Sequence, residues 1–301
     1  MASSLLAVFA VAGCSQPAVT LDGSSTVFPI TAAVQEQFRK ENAGVRVIVG
    51  RSGTGGGFRR FTKGEIDVCN ASRPITETEI AECRQNGIEY VALEIALDGL
   101  AVCVHPENKW CDSLSVEQLR AIWQPQSVVA KWNDVNPQWP NEKMNLYGAG
   151  TESGTFDYFT EEIVGERQKS RSDYMPSEDD NVLVTGIAGD VYSLGYFGLA
   201  YYENNRSKLK LVAIDPGDGK PVLPSLETVQ SGTYRPLSRP LFLYIRKSSL
   251  AKPEVRAFVQ FYLDRVSGLV EKVGYVPIAE EDLATSKKTL REALDAMKPT
   301  T

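Results

Sequence analysis

Short apolar runs alternate along this chain with segments whose apolar residues return every three or four positions. The runs Val45–Val49, Ile66–Ala71, Tyr90–Ala96, Leu100–His105, Met144–Gly148, Leu194–Leu199, Leu209–Ile214 and Leu241–Ile245 predict strands. Ile30, Ala33, Val34 and Phe38 share one face of a predicted helix, and Phe156, Phe159 and Ile163 share a second. Val255, Phe258, Val259, Tyr262, Leu269 and Val273 form a long stripe near the end, while Gln16–Thr20 reads as a short tether. Strands alternating with amphipathic helices predict an α/β fold.

Polar, glycine-rich loops open several of these helices. The first, DGSSTVFP from Asp22 to Pro29, puts Pro29 in the first helical turn, where its missing N–H costs nothing. The second, GRSGTGGGF from Gly50 to Phe58, follows a predicted strand, as does the third, GAGTESGTF from Gly148 to Phe156. A fourth segment, NASRPIT from Asn70 to Thr76, leads into a helix near Ile80, with Glu79 spaced from Thr76 as a capping box. A helix N-terminus offers unpaired N–H groups and about half a positive charge. Glycine lets the backbone approach an anion, and serine and threonine add neutral donors. One such loop alone reads as an ordinary N-cap. Several, each following a strand, predict an oxyanion site outside the carboxyl ends of the strands. Ser24, Thr54, Gly55 and Ser72 are further candidate donors within these loops.

Dipole ends contribute about 0.3–1 kcal/mol each, or ~2 kcal/mol when partly buried. Micromolar binding needs about 8 kcal/mol. Hydrogen bonds to a charged ligand, about 1.5–3 kcal/mol each, must supply the rest, and a guanidinium would help. Arg73 is the candidate, because its planar group suits a tetrahedral oxyanion. Arg51, Arg59 and Arg60 flank the second loop, and the last two read as a solvated helix face.

Composition adds three constraints. The 301 residues are 43% hydrophobic and 23% charged, which is ordinary for a globular chain of one large or two smaller domains. A net charge of -6 argues against nucleic acid and requires locally concentrated positive potential for an anion. Ser4–Gly13 is apolar or small and ends before Cys14, too short to span a bilayer. It resembles a bacterial lipoprotein signal whose lipobox makes Cys14 the lipidated residue, although no Lys or Arg precedes it. Export implies an oxidising compartment, so Cys69, Cys83, Cys103 and Cys111 could form disulfides in three pairings or stay as buried thiols. Proximity in sequence favours Cys69 with Cys83 and Cys103 with Cys111.

Taken together, GSSTVFP (Gly23–Pro29), SGTGGGF (Ser52–Phe58), NASRPI (Asn70–Ile75), ESGTFDYF (Glu152–Phe159), EDDNVLV (Glu178–Val184) and GYFGLAYY (Gly195–Tyr202) resemble the PstS phosphate-binding proteins of ABC transporters, in particular their cyanobacterial-type branch. The resemblance runs from about Val19 to Ile278. It implies a two-lobed periplasmic binding protein of type II, with a ligand cleft between lobes joined by two crossing strands. Asp98–His105 and Arg239–Arg246 match the crossings. That implies a signal and tether at 1–18, a discontinuous first lobe at 19–98 and 240–301, and a second lobe at 99–239. The family's ligand contacts fall on Ser25, Thr26, Ser52, Ser153, Gly154 and Thr155. The best-known branch has an aspartate, which accepts the proton of monohydrogen phosphate, where this chain has Arg73, and an arginine where it has Ala149. The positive charge moves between lobes and the acceptor is lost. Glu152, Glu178 and Asp180, with Asn181 beside it, are the candidates to replace it.

The expected function is binding of inorganic phosphate for an ABC transporter permease by a lipid-anchored periplasmic monomer without a cofactor. The alternatives are another tetrahedral oxyanion (sulfate, molybdate or arsenate) or a phosphate-ester hydrolase. Enzymatic parts are missing. SGTGGGF lacks the Lys-Ser/Thr of a P-loop, Ser153 is not in a GxSxG elbow, and His105 is the sole histidine.

Overall fold

The computed structural model describes residues 18–151 and 153–297. Cys14 and Glu152 therefore lie outside the described residues. The strands are β1 (Ala18–Gly23), β2 (Arg46–Val49), β3 (Val68–Ala71), β4 (Tyr90–Val104), β5 (Ser113–Ser115), β6 (Asn145–Ala149), β7 (Met175–Ser177), β8 (Ser193–Gly198), β9 (Lys210–Leu211), β10 (Ala213–Asp215) and β11 (Ser238–Arg246). They form a mixed sheet in the order β2-β1-β3-β11-β4-β8-β6-β7, with β9 beside β4, and a separate β10-β5 pair. Parallel pairing joins β1 to β2 and β3, and β6 to β7 and β8.

Two strands run through the middle. β11 pairs antiparallel with β4 from Ser238 opposite Gly99 to Arg246 opposite Tyr90. Beyond that register β4 continues and pairs with β8 from Leu100 to Val104. One apolar core gathers residues between Leu97 and Leu237, joined by Val276 and Ile278. A second gathers Val19 to Ala96 and Leu241 to Leu290, with a satellite around Phe58, Phe61 and Tyr244. Val276 also exchanges backbone hydrogen bonds with Leu97, at 2.8 and 2.9 Å, tying the C-terminal segment to β4.

Several elements depart from the sequence expectation. The two runs predicted either side of Leu97 are one continuous strand, because Asp98 and Gly99 stay extended and buried there. The run Leu209–Ile214 splits into β9 and β10 at Val212, whose amide turns to the Val102 carbonyl. Ala18–Thr20, expected in the tether, belongs to β1, between β2 and β3 in the sheet. Cys69, Cys83, Cys103 and Cys111 are all free and buried, so the disulfide expectation is corrected. Cys69 and Cys83 share the satellite core without bonding. Burial pushes the Cys103 thiol well up and the Cys111 thiol up to about 12, which keeps both protonated and inert.

Helix starts follow local codes. Thr76 and Glu79 form the expected reciprocal capping box, and Pro29 lies in the first turn of the helix Phe28–Glu41. That helix buries Ile30, Val34 and Phe38, and Phe38 meets Phe258 edge-on at 5.2 Å.

Asp67 pins β1 to the segment after β11. It is 1% exposed and accepts from Thr20 N (3.0 Å), Thr20 Oγ1 (2.9 Å), Ser249 Oγ (2.7 Å) and Lys252 Nζ (2.9 Å). Burial alone would raise its carboxyl, but the bonds from Lys252, Thr20 and Ser249 hold it below the ordinary 3.8. Its stabilisation is thus fully present above pH 3.8 and is lost as pH falls through the lower folded value. Asp67→Asn should cost about 3 kcal/mol at pH 7. In denaturant titrations the gap to wild type should close below about pH 4.

Candidate functional site

The first loop turns sharply at Gly23, whose φ is +136°. A Cβ there would lie 2.1 Å from the Asn70 carbonyl oxygen, so only glycine lets the loop lie against β3. Ser24 then caps its own turn, its Oγ accepting from the amides of Thr26 (3.2 Å) and Val27 (3.4 Å). That leaves Ser25 and Thr26 facing the other half of the molecule. Asp22 holds the second loop in place. Its Oδ1 accepts from Ser52 N (3.0 Å) and Gly23 N (2.8 Å), and its Oδ2 from Arg60 Nη1 (2.6 Å). Burial works to raise this carboxyl, and the bonds from Ser52, Arg60 and Gly23 bring it below the ordinary value. Arg59 and Arg60 are both exposed, as expected of a solvated face, and Arg60 also reaches back to anchor the loop through Asp22.

The third loop arrives from the other side. Ser153 caps the helix Gly154–Phe159, its Oγ accepting from Thr155 N at 3.1 Å. Gly154 lies directly on Thr26: a Cβ would meet Thr26 Oγ1 at 2.6 Å and its Cα and N at 2.7 Å. Thr26 Oγ1 donates to the Gly154 carbonyl (3.4 Å), and Ser25 Oγ donates to Asp157 Oδ2 (3.3 Å). Arg239 of β11 completes the seam. It donates to Thr26 Oγ1 (3.0 Å) and to Asp98 Oδ2 (3.3 Å), with its guanidinium 3.5 Å from the centre of the Tyr158 ring.

Beside this seam lies a cavity of about 350 Å³ lined by Ser25, Arg51, Ser52, Gly53, Thr151, Asp157, Arg167 and Gln168. Arg167 pairs with Asp157 Oδ2 and has 42% of its side chain exposed at the rim. Larger hollows, such as one of about 710 Å³ beside Leu250, Arg256 and Leu294, lie among the outer helices and gather no such loop hydroxyls. The site thus combines neutral donors, two guanidiniums and one carboxylate, drawn from both halves. That chemistry suits a small anion.

The PBP superfamily domain matches residues 10–266. The chain belongs to the periplasmic binding protein (PBP) superfamily. Among curated relatives it is 48% identical to protein SphX of Synechocystis over 266 residues, 87% of this chain and 79% of the relative. It is 36% identical to the phosphate-binding protein PstS of Staphylococcus saprophyticus over 274 residues, 91% of this chain and 84% of the relative. A crystal structure of a possible phosphate-binding protein from Planctomyces limnophilus superposes with a TM-score of 0.89 at 46% identity, covering 93% of this chain and 99% of the other.

Within this PBP fold, the residues expected from sequence divide. Ser25 and Ser52 line the cavity, and Thr26 and Gly154 form the seam beside it. Ser153 and Thr155 bond to one another in the cap next to the seam. Thr54 and Ser72 pair at 3.0 Å, joining the second loop to the fourth, and Gly55 is exposed. Arg73 does not reach the cavity. Its guanidinium is held by both oxygens of Glu79, at 2.8 and 2.9 Å, over the Phe58 ring. The capping-box carboxylate thus captures the expected ligand arginine.

Asp180 is turned to the Gly198 backbone, and burial raises its carboxyl to about 6. Exposed Asn181 donates to Asp179, and Glu178 packs over Gly150. Neither Asp180, Asn181 nor Glu178 lines the cavity. Asp157, Arg167 and Arg239 were not expected from sequence. Asp157 lies inside ESGTFDYF, so its polar position on a helix with buried neighbours was the signal available. Arg167 sits in a loop with no motif.

The seam gives a direct test. Gly154→Ala forces Thr26 and the third loop apart. A compact chain of this length should have a radius of gyration of about 19 Å. Small-angle scattering should show a larger value for the variant than for wild type under the same conditions.

Proposed function

We propose that this chain binds inorganic phosphate in the cleft and presents it to the permease of an ABC transporter. The observation that carries the reading is the meeting of Ser25 and Ser52 from one half with Asp157 and Arg167 from the other around one small polar cavity. The names of SphX and PstS relatives, and of the Planctomyces structure, point to the same ligand. The lobes of this reading are 19–98 with 240–301, and 99–239, which the two apolar cores support apart from Leu97, Val276 and Ile278. Ser25, Thr26, Ser52, Ser153, Gly154 and Thr155 supply the neutral donors, and Arg167 replaces Arg73 as the charge partner, because Glu79 already holds Arg73.

We take the function to be binding without turnover. His105, the sole histidine, follows β4, where its Nδ1 accepts from Glu107 N at 3.0 Å. We further propose a periplasmic monomer anchored through lipid on Cys14. Among the described residues no helix is long and apolar enough to cross a membrane, so attachment would rest on that lipid. Mass spectrometry of the N-terminal peptide should find a diacylglycerol-modified Cys14, and an unmodified cysteine in membrane fractions would sink the anchor.

Calorimetry tests the ligand. Phosphate should bind with micromolar or tighter affinity, worth about 8 kcal/mol or more. Arg167→Ala should weaken it about 10- to 100-fold, the loss of a charge-assisted hydrogen bond. Arg73→Ala should change it by less than about 3-fold, as expected for a residue outside the site. The reverse order would restore Arg73 as the ligand cation. A chromogenic phosphate ester should show no turnover.

A further inference from the structure

We propose that the end of the first half where the tether enters is a contact surface for anionic lipid headgroups, held by the Arg39 and Arg46 guanidiniums. This rests on the reading of Cys14 as the lipid-bearing residue.

β1 and β2 run parallel, with Ala18 opposite Arg46 and Leu21 opposite Val49. Arg46 therefore stands at the tether end of the sheet. The Asp22–Gly23 turn carries β1 into the cleft at the other end, about 20 Å away. The helix Phe28–Glu41 runs back from the cleft loop and brings Arg39 to the same end as Arg46. The two arginines line one hollow of about 420 Å³ with Gln35, Glu36 and Val45. Its other polar side chains are engaged. Gln35 Nε2 donates to the Val47 carbonyl (2.7 Å), and Glu36 accepts from Lys40 Nζ (2.9 Å). Glu41, at the end of the same helix, pairs with Arg265. Arg39 and Arg46 are exposed, and among the described residues neither is in an ion pair. The patch thus keeps a positive excess in a chain of net charge -6. A cation in the last turn of a helix suits its dipole, which accounts for Arg39 and Lys40 but not for Arg46 on the neighbouring strand.

The occupant follows from where the chain leads. Only Ser15, Gln16 and Pro17 separate Cys14 from Ala18, so the Cα atoms of Cys14 and Ala18 stand at most about 14 Å apart. A lipid on Cys14 keeps the bilayer surface close to the hollow. So short a tether gives the headgroups a high effective concentration, and a weak contact suffices. Guanidinium groups suit the phosphodiester of a headgroup. Each cation close to an anionic surface strengthens contact about 5-fold. With contact made, the cleft end of this half points away from the bilayer.

The test is arginine labelling by phenylglyoxal, read by mass spectrometry, on the lipidated full chain in vesicles. One set is phosphatidylcholine alone, and the other is phosphatidylcholine and phosphatidylglycerol in equal parts. Arg39 and Arg46 should label about 10- to 30-fold more slowly on the second set, the effect of two cations. Exposed Arg235 of the other half should label alike on both. Arg39→Gln should cut the protection of Arg46 about 5-fold. Equal labelling of Arg39 and Arg46 on the two sets, or the same slowing at Arg235, would overturn the assignment. Protection of the pair by soluble glycerol phosphate on neutral vesicles would give the hollow to a free anion and overturn the lipid surface. An unmodified Cys14 removes the anchor and this inference with it. A lipidated Cys14 without lipid-dependent protection removes this inference alone. Should Arg39→Gln fail to fold, wild type decides. Its protection must vanish at high salt, where surface attraction is screened, and protection that persists there refutes the assignment.

Discussion

The two halves of this molecule touch where the Thr26 backbone rests on Gly154 with no room for a side chain. That contact sets how far apart the first and third loops stand. The hydroxyls of Ser25 and Thr26, the Asp157 carboxylate and the Arg239 guanidinium are all positioned relative to it. It is built from loops carried by different strands, so neither half can form it alone. β4 and β11 supply the frame, because both run continuously beside the seam and carry Asp98 and Arg239 into it.

Local chemistry made part of this legible in the sequence. Pro29, Thr76 and Glu79 mark helix starts through interactions within a few residues, and those starts are where they were expected. The alternation of strands and helices follows from short-range periodicity in the same way. The loops were recognisable because glycine and hydroxyl residues cluster wherever a backbone must turn tightly and offer donors.

What was not legible depends on distance in the chain. Asp157 and Arg167 become partners only when the π-helical turn Thr160–Val164 folds the chain back. Arg73 and Glu79 were each read correctly as types, a guanidinium near a loop and a capping carboxylate. Their pairing with each other removes Arg73 from the cleft, and no single-residue rule reports such competition. β1 was obscured for a different reason. Asp22 and Gly23 look like a loop, yet Asp22 is 3% exposed because the amides of Gly23 and Ser52 and the Arg60 guanidinium satisfy it inside the sheet edge.

The electrostatics of the cleft in an acidic chain then become intelligible. With a net charge of -6, long-range attraction is unfavourable, and the favourable potential must be local. Several carboxylates in and near these loops are each paired with a guanidinium: Asp22 with Arg60, Asp98 with Arg239, Asp157 with Arg167 and, outside the cleft, Glu79 with Arg73. For Asp98, burial still raises the carboxyl despite Arg239. Matching pairs cancel at a distance but not at contact, where individual donors and acceptors face a ligand one atom at a time. Affinity in such a site comes from counted hydrogen bonds rather than from net charge.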